Sequence, residues 1–231
     1  MNTFDPTSLN RITLVTGHYG CGKTNLSLNL ALDFARRGEK VAVVDLDIVN
    51  PYFRSSDYDE LLESGGIRLI APRYARSALD VPSLPAEIYS VFDSIDGRVV
   101  IDVGGDDAGA TALGRYASRF AGLDYSMLYV VNKFRPLTAE SREAAELLGE
   151  IETASRLKAT AVVNNSHLMG GTTAETILGS LDYAAESARL LGLPLLFTTA
   201  PRAIAETLTV PDIYPVDIHV RTPWDKSVVA S

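Results

Sequence analysis

The residues Gly17-His18-Tyr19-Gly20-Cys21-Gly22-Lys23-Thr24 have the types and spacing needed to hold a polyphosphate. They fit G-x-x-x-x-G-K-[ST], a phosphate-binding loop. Glycines let a backbone wrap closely around phosphate oxygens with several N–H groups turned inward. Lys23 brings a compact positive charge to the β- and γ-phosphates, and Thr24 offers a hydroxyl to Mg²⁺. A helix opening at Gly22 would point its positive dipole end at the same anion. Gly17, Gly20, Cys21, Gly22, Lys23, Thr24 and Asn25 are therefore the expected phosphate cradle, with Cys21 small enough to fit inside it.

Two further segments carry carboxylates. Val43-Val44-Asp45-Leu46-Asp47 delivers two acids at the end of an apolar run. One or both can approach Mg²⁺ through water or orient a nucleophilic water, because ligands of open α/β sheets sit beyond the carboxyl ends of the strands. Arg98-Val99-Val100-Ile101-Asp102-Val103-Gly104-Gly105 is three apolar residues, an Asp and two glycines. It has the pattern of a Walker B strand, whose Asp102 would hold Mg²⁺ through the metal's water shell. Gly104 and Gly105 would let the backbone approach a γ-phosphate. Asp106 and Asp107 are read as helix caps before Ala108.

Elements that could position these residues are visible as short apolar runs. The runs are 12–16, 41–45, 67–71, 99–103, 127–132, 161–164 and 195–198, and their unbroken apolar character suits parallel strands buried on both faces. Helical patterns fall between them at 25–37, 84–94, 108–121, 138–154 and 173–191. Hydroxyls and acids in Thr138-Ala139-Glu140-Ser141 and Thr172-Thr173-Ala174-Glu175 mark two helix starts. Strand–helix alternation predicts right-handed βαβ units and a doubly wound, mostly parallel sheet flanked by helices. One domain over 1–231 is expected. Residues 211–231, with Pro211, Pro215 and Pro223, are expected to form an extended C-terminal tail.

Composition narrows the class. The 231 residues are 46% hydrophobic and 22% charged, as in an ordinary globular enzyme. The formal charge of -8 argues against non-specific binding to nucleic acid or an anionic membrane. No apolar run approaches the length of a membrane span, and Met1 to Asn10 lack a signal-like apolar stretch. A single cysteine allows neither an intramolecular disulfide nor a cysteine metal cage. A cytoplasmic location is expected.

The order of phosphate loop, Asp-x-Asp strand end and hhhD-x-Gly-Gly resembles the MinD/ParA/CobQ-type (deviant Walker A) branch of P-loop NTPases over residues 11–201. The resemblance implies a mostly parallel sheet, Mg·ATP binding and slow hydrolysis; whether a homodimer closes around ATP is left open by the absence of an early loop lysine. It gives Asp47 the water-positioning role and makes 102–105 the switch segment. It also implies that Asn164, at a later strand end, hydrogen-bonds adenine, with Pro201 against the ring. Many members carry an early loop lysine that reaches the partner's nucleotide; His18 stands there, followed by Tyr19. The membrane helix of MinD has no counterpart, since Pro223 interrupts 218–224.

Base choice and the remaining polar residues complete the expectations. Asn132-Lys133-Phe134-Arg135 resembles an N-K-x-D guanine reader, but Arg135 has only donors where guanine needs an acceptor, so ATP is expected over GTP. His167 and His219 lack partners at ligand spacing and are expected to be ordinary surface or satisfied histidines. Arg54, Arg73 and Arg76 follow strand ends and can bind a substrate anion or remain solvated. The expected activity is a slow ATPase acting as a nucleotide-dependent switch for a protein partner. A small-molecule kinase or ligase of the dethiobiotin-synthetase or cobyrinate-amidase kind, with an acceptor in place of water, is the first alternative. A regulatory module that binds nucleotide without turnover is the second.

Overall fold

The computed structural model describes residues 3–46, 56–71, 86–93, 96–105 and 107–220. Its framework is one sheet with the strand order β3-β2-β4-β1-β5-β6-β7-β8, every pairing parallel. The strands are β1 (Ile12–Gly17), β2 (Val41–Asp45), β3 (Arg68–Ile70), β4 (Arg98–Asp102), β5 (Tyr125–Val131), β6 (Ala161–Asn164), β7 (Leu195–Pro201) and β8 (Ile213–Val216). The first seven fall where the apolar runs predict them. The eighth lies in the stretch read as a tail.

Alternation along each strand assigns its side chains to two faces. Ile12 and Leu14 of β1, Val44 of β2 and Val99 and Ile101 of β4 share a core with residues of α4 (Asp107–Gly114), α5 (Ser141–Ser155) and α7 (Leu181–Leu191). Val15, Val43 and Val100 point the other way. They pack with Leu26, Leu30 and Phe34 of α1 (Lys23–Arg36) and with Tyr58 and Leu62 of α2 (Ser56–Ser64). Helices thus cover both faces, which is why the strands are apolar throughout and not alternating.

Two predicted helices break where their sequences carry glycine. The pattern over 173–191 divides into α6 (Ala174–Leu178) and α7 around Gly179 and Ser180. That over 108–121 ends α4 at Gly114 and resumes as a 3₁₀ turn, Ala117–Phe120. The cap signals hold. The Thr173 hydroxyl accepts from the Thr176 N–H, and the Glu143 carboxylate accepts from the Glu140 N–H at 3.2 Å.

β8 is an edge strand, so Pro215 opposite Ala200 removes no ladder bond from a further neighbour. The chain beyond β8 then returns over α1. Asn25 and Asn29 both donate to the Asp217 carbonyl, at 3.0 and 2.9 Å. The Asn25 side-chain Oδ1 accepts from the His219 and Val220 N–H groups, and Asn29 Oδ1 accepts from the Asp217 N–H. Five hydrogen bonds thus hold 217–220 against the first turns of α1.

Candidate nucleotide site

The loop after β1 can exist only with its glycines. At Gly17 φ is +146°, and a Cβ would stand 2.3 Å from the Val130 carbonyl oxygen on β5. Gly22 has φ +88°, and a Cβ there would meet the amide of Asn165 and the ring of His167. α1 starts directly after it with no side-chain cap, which leaves its first N–H groups for an anion. Lys23 is buried, and its Nζ donates to the His18 carbonyl at 3.1 Å. Among the described residues it makes no ion pair. A buried ammonium without a counter-charge is costly, and an anion in the loop would relieve that cost.

The strand faces explain the carboxylates. Asp45 follows Val43 and Asp102 follows Val100 on the α1 side, and the two are register partners across β2 and β4. The Thr24 hydroxyl donates to Asp102 Oδ2 at 2.6 Å, and Ser27 donates to Oδ1 at 3.2 Å. Thr24, Ser27, Asp45 and Asp102 border a cavity of about 30 Å³, room for one or two waters. This all-oxygen donor set fits Mg²⁺, which keeps most of its waters, and among the described residues no group of three His, Cys, Asp or Glu forms a closed cage. Asp47 lies outside the described residues, as do Arg54, Arg73, Arg76 and Asp106.

The segment after Asp102 rests on the loop itself. A Cβ on Gly105 would be 2.6 Å from Lys23 Nζ and 2.6 Å from the Tyr19 nitrogen. Gly105 therefore lies against the Lys23 ammonium.

From the loop a cleft of about 370 Å³ extends across the ends of β6, β7 and β8. Gly20, Gly22, Lys23, Thr24 and Asn25 line it from the loop and the start of α1, and Met169, Ile177, Pro201, Val216, Ile218 and Val220 add an apolar lining. Pro201 lines this cleft.

Asn164 does not. Val162 faces the α7 side of the sheet, so Asn164, two residues on, faces that side too. It is fully buried; its Nδ2 donates to Ser180 at 2.9 Å and its Oδ1 accepts from the Ser166 N–H. Asn165 points to the cleft instead. Its amide donates to the Cys21 carbonyl at 2.7 Å while its oxygen accepts from the Thr199 hydroxyl. Asn164 is thus a structural residue behind β6, and Asn165 ties the loop to β7. The Asn25 side chain is likewise taken up by 217–220.

Two cleft residues have little sequence signal. Arg135 lines the cleft after β5, and His167 lines it after β6. His167 Nδ1 accepts from the Met169 N–H at 3.2 Å, which leaves Nε2 to carry the proton beside Gly22. Burial, and then the nearby Arg135 charge, pull its pKa from 6.5 down to about 4. The unfolded chain therefore binds the extra proton first. Stability from this residue is full above about pH 6.5 and is lost as pH falls toward 4, by up to about 3 kcal/mol. Chemical denaturation of His167→Gln should accordingly show a shallower loss of stability between those pH values than wild type. Equal slopes would mean His167 titrates as in the unfolded chain.

A parallel sheet with a glycine-rich phosphate loop after β1 and a metal-type Asp on the adjacent β4 defines a P-loop nucleotide-binding domain. The chain belongs to the CobQ/CobB/MinD/ParA nucleotide-binding domain family, whose model CbiA matches residues 12–168. No curated protein sequence matches it closely enough to count as a relative. Among solved structures, the signal recognition particle 54 kDa protein of Aeropyrum pernix K1, in complex with GDP, superposes with TM-score 0.56 at 21% identity, over 84% of this chain and 42% of that one. Chloroplast FtsY of Physcomitrella patens gives TM-score 0.52 at 16% identity, over 82% of this chain and 58% of that one. The cell division protein ftsY of Thermotoga maritima gives 0.50 at 19%, over 83% and 62%. The chain spans less than two thirds of each of these proteins, and at such identities the likeness concerns the fold alone. Among the described residues no helix is long and apolar enough to cross a membrane.

Proposed function

We propose that this protein binds Mg·ATP and hydrolyses it slowly, as a switch whose two states a protein partner reads. The observation that carries this reading is the contact of Gly105 with Lys23 and Tyr19, next to the hydrogen bond from Thr24 to Asp102. A γ-phosphate that draws Lys23 away from the His18 carbonyl must alter the surface on which Gly105 rests. Release of that phosphate restores it. The occupancy of one anion site is thereby converted into the position of the segment from Asp102 to Gly105.

The residues have separate tasks in this reading. The loop N–H groups and the start of α1 bind the phosphates, and Lys23 neutralises charge on the terminal ones. Mg²⁺, held by the Thr24 hydroxyl and through water by Asp45 and Asp102, would supply further positive charge there. Asp47, by its place two residues after Asp45, is assigned to orient the attacking water. Adenine is favoured in the cleft because no carboxylate among the described residues lines it, and guanine's ring N–H and amino group need an acceptor.

Competition between ATP and GTP for the purified chain, with ADP and phosphate release followed, tests this. ATP should bind more tightly, ADP should form slowly, and amide exchange at 103–105 should differ between ATP and ADP. GTP binding as tight as ATP would remove the base argument. Acceleration by a small metabolite, with the phosphoryl group found on it, would make the protein a kinase or ligase. Bound ATP that yields no ADP under any addition would leave a non-hydrolysing module.

A further inference from the structure

The cleft carries a second cation that the loop chemistry above leaves without a task. Arg135 lies five residues beyond Val130, which pairs with Gly17 across β5 and β1. The two following loops are therefore neighbours at the carboxyl ends of these central strands. A Cβ on Gly20 would stand 3.5 Å from Arg135 Nε and 3.6 Å from its Cζ, so the guanidinium lies against the middle of the phosphate loop. Its Nε is shielded from solvent and has no hydrogen-bond partner among the described residues. The guanidinium also makes no ion pair with any described residue. Arg135 and Lys23 are the two Lys or Arg side chains among the cleft's described lining, and no carboxylate accompanies them. In a chain with a formal charge of -8, two unpaired cations facing one cleft mark an anion site.

We propose that Arg135 is a second phosphate-binding residue, which closes on the polyphosphate of the nucleotide from β5 while Lys23 holds it from the loop. The proposal rests on the reading of the cleft as a nucleotide site and deepens it. Strand order assigns the ligand part. β5 adjoins β1 and the loop, whereas the apolar wall of Pro201, Val216 and Ile218 belongs to β7, β8 and the chain beyond them. Arg135 is accordingly beside the phosphates and away from the base. A planar guanidinium with several donors can bind phosphate oxygens in pairs, and Lys cannot reproduce that geometry. Because Arg135 belongs to the same chain as the loop, its charge is available without a second copy of the protein.

Calorimetric titration with Mg·ATP, inorganic tripolyphosphate and adenosine separates the possibilities. Arg135→Gln should weaken Mg·ATP and tripolyphosphate about ten- to a hundredfold, the loss of a charged hydrogen-bond donor. Adenosine binding should stay within about twofold. Arg135→Lys should recover part of the loss, and the ligand-free melting temperatures of both variants should match wild type, since no described partner is removed. The proposal is overturned if Arg135→Gln binds tripolyphosphate as wild type does while Lys23→Ala does not. It is also overturned if adenosine and tripolyphosphate weaken by the same factor, which would make Arg135 a shaper of the whole cleft. If Lys23→Ala too binds tripolyphosphate normally, the nucleotide site itself is misassigned and both readings fall together.

Discussion

Lys23→Ala is expected to abolish Mg·ATP binding. The ammonium is buried, donates to the His18 carbonyl and makes no ion pair among the described residues, so an incoming phosphate would supply its counter-charge. Alanine leaves the loop backbone and the start of α1 in place but removes that charge from a site shielded from water, where charge counts most. Wild type at a hundredfold excess of nucleotide over its dissociation constant should gain about 2.7 kcal/mol of stability. The variant should gain almost none, read as an unchanged melting temperature with and without Mg·ATP. Its ligand-free stability should equal or exceed that of wild type, since a buried unpaired cation is gone. A full ligand-induced gain in Lys23→Ala would remove the loop as the nucleotide site.

Asp47→Asn and Asp102→Asn are expected to fail in different ways. Asp102 accepts from both Thr24 and Ser27, and its place beside Thr24 suits the holding of metal-bound water. The amide would keep one acceptor and turn the other into a donor facing a hydroxyl. Mg²⁺ should then matter less to ATP affinity. Asp47 is assigned to the water, so its amide should leave ATP binding within a few-fold and lower hydrolysis by about two orders of magnitude or more. Nucleotide titration with and without Mg²⁺, together with single-turnover ADP formation, distinguishes the two. Hydrolysis by Asp47→Asn at the wild-type rate would return that residue to a structural strand end.

The phosphate loop, its strand and the carboxylates of β2 and β4 are legible in the sequence because each is local. The loop glycines directly follow the apolar run of β1, and Asp45 and Asp102 each directly follow the apolar run of their own strand. Register partners and faces are not local. Asn164 and Asn165 read alike, and only the alternation that starts from Val162 in the packed sheet decides which reaches the cleft. β8 is hidden by Pro215, whose missing N–H argues against a strand except at an edge, and edges are known only once the strand order is. Arg135 and His167 belong to loops whose sequences carry no spacing rule. They meet the phosphate loop because β5 and β6 follow β1 in the sheet. α2 has little sequence signal because Tyr58, Leu61 and Leu62 give too short an apolar face to stand out.

The hold of Asn25 and Asn29 on 217–220 has a consequence for how the molecule is made. These hydrogen bonds join positions 188 to 195 residues apart, so the stretch that adds Ile218 and Val220 to the cleft is translated long after the loop. The start of the chain waits on the same event, because the Phe4 N–H donates to the Ile213 carbonyl at 3.0 Å. Contacts of such separation are made late in folding, after shorter-range pairing has reduced the entropy of closing the intervening chain. A nascent chain that already carries the loop, β4 and α5 would hold phosphates but lack the wall against which a base packs. On the proposed reading of the cleft, tight nucleotide capture would require synthesis to have passed β8.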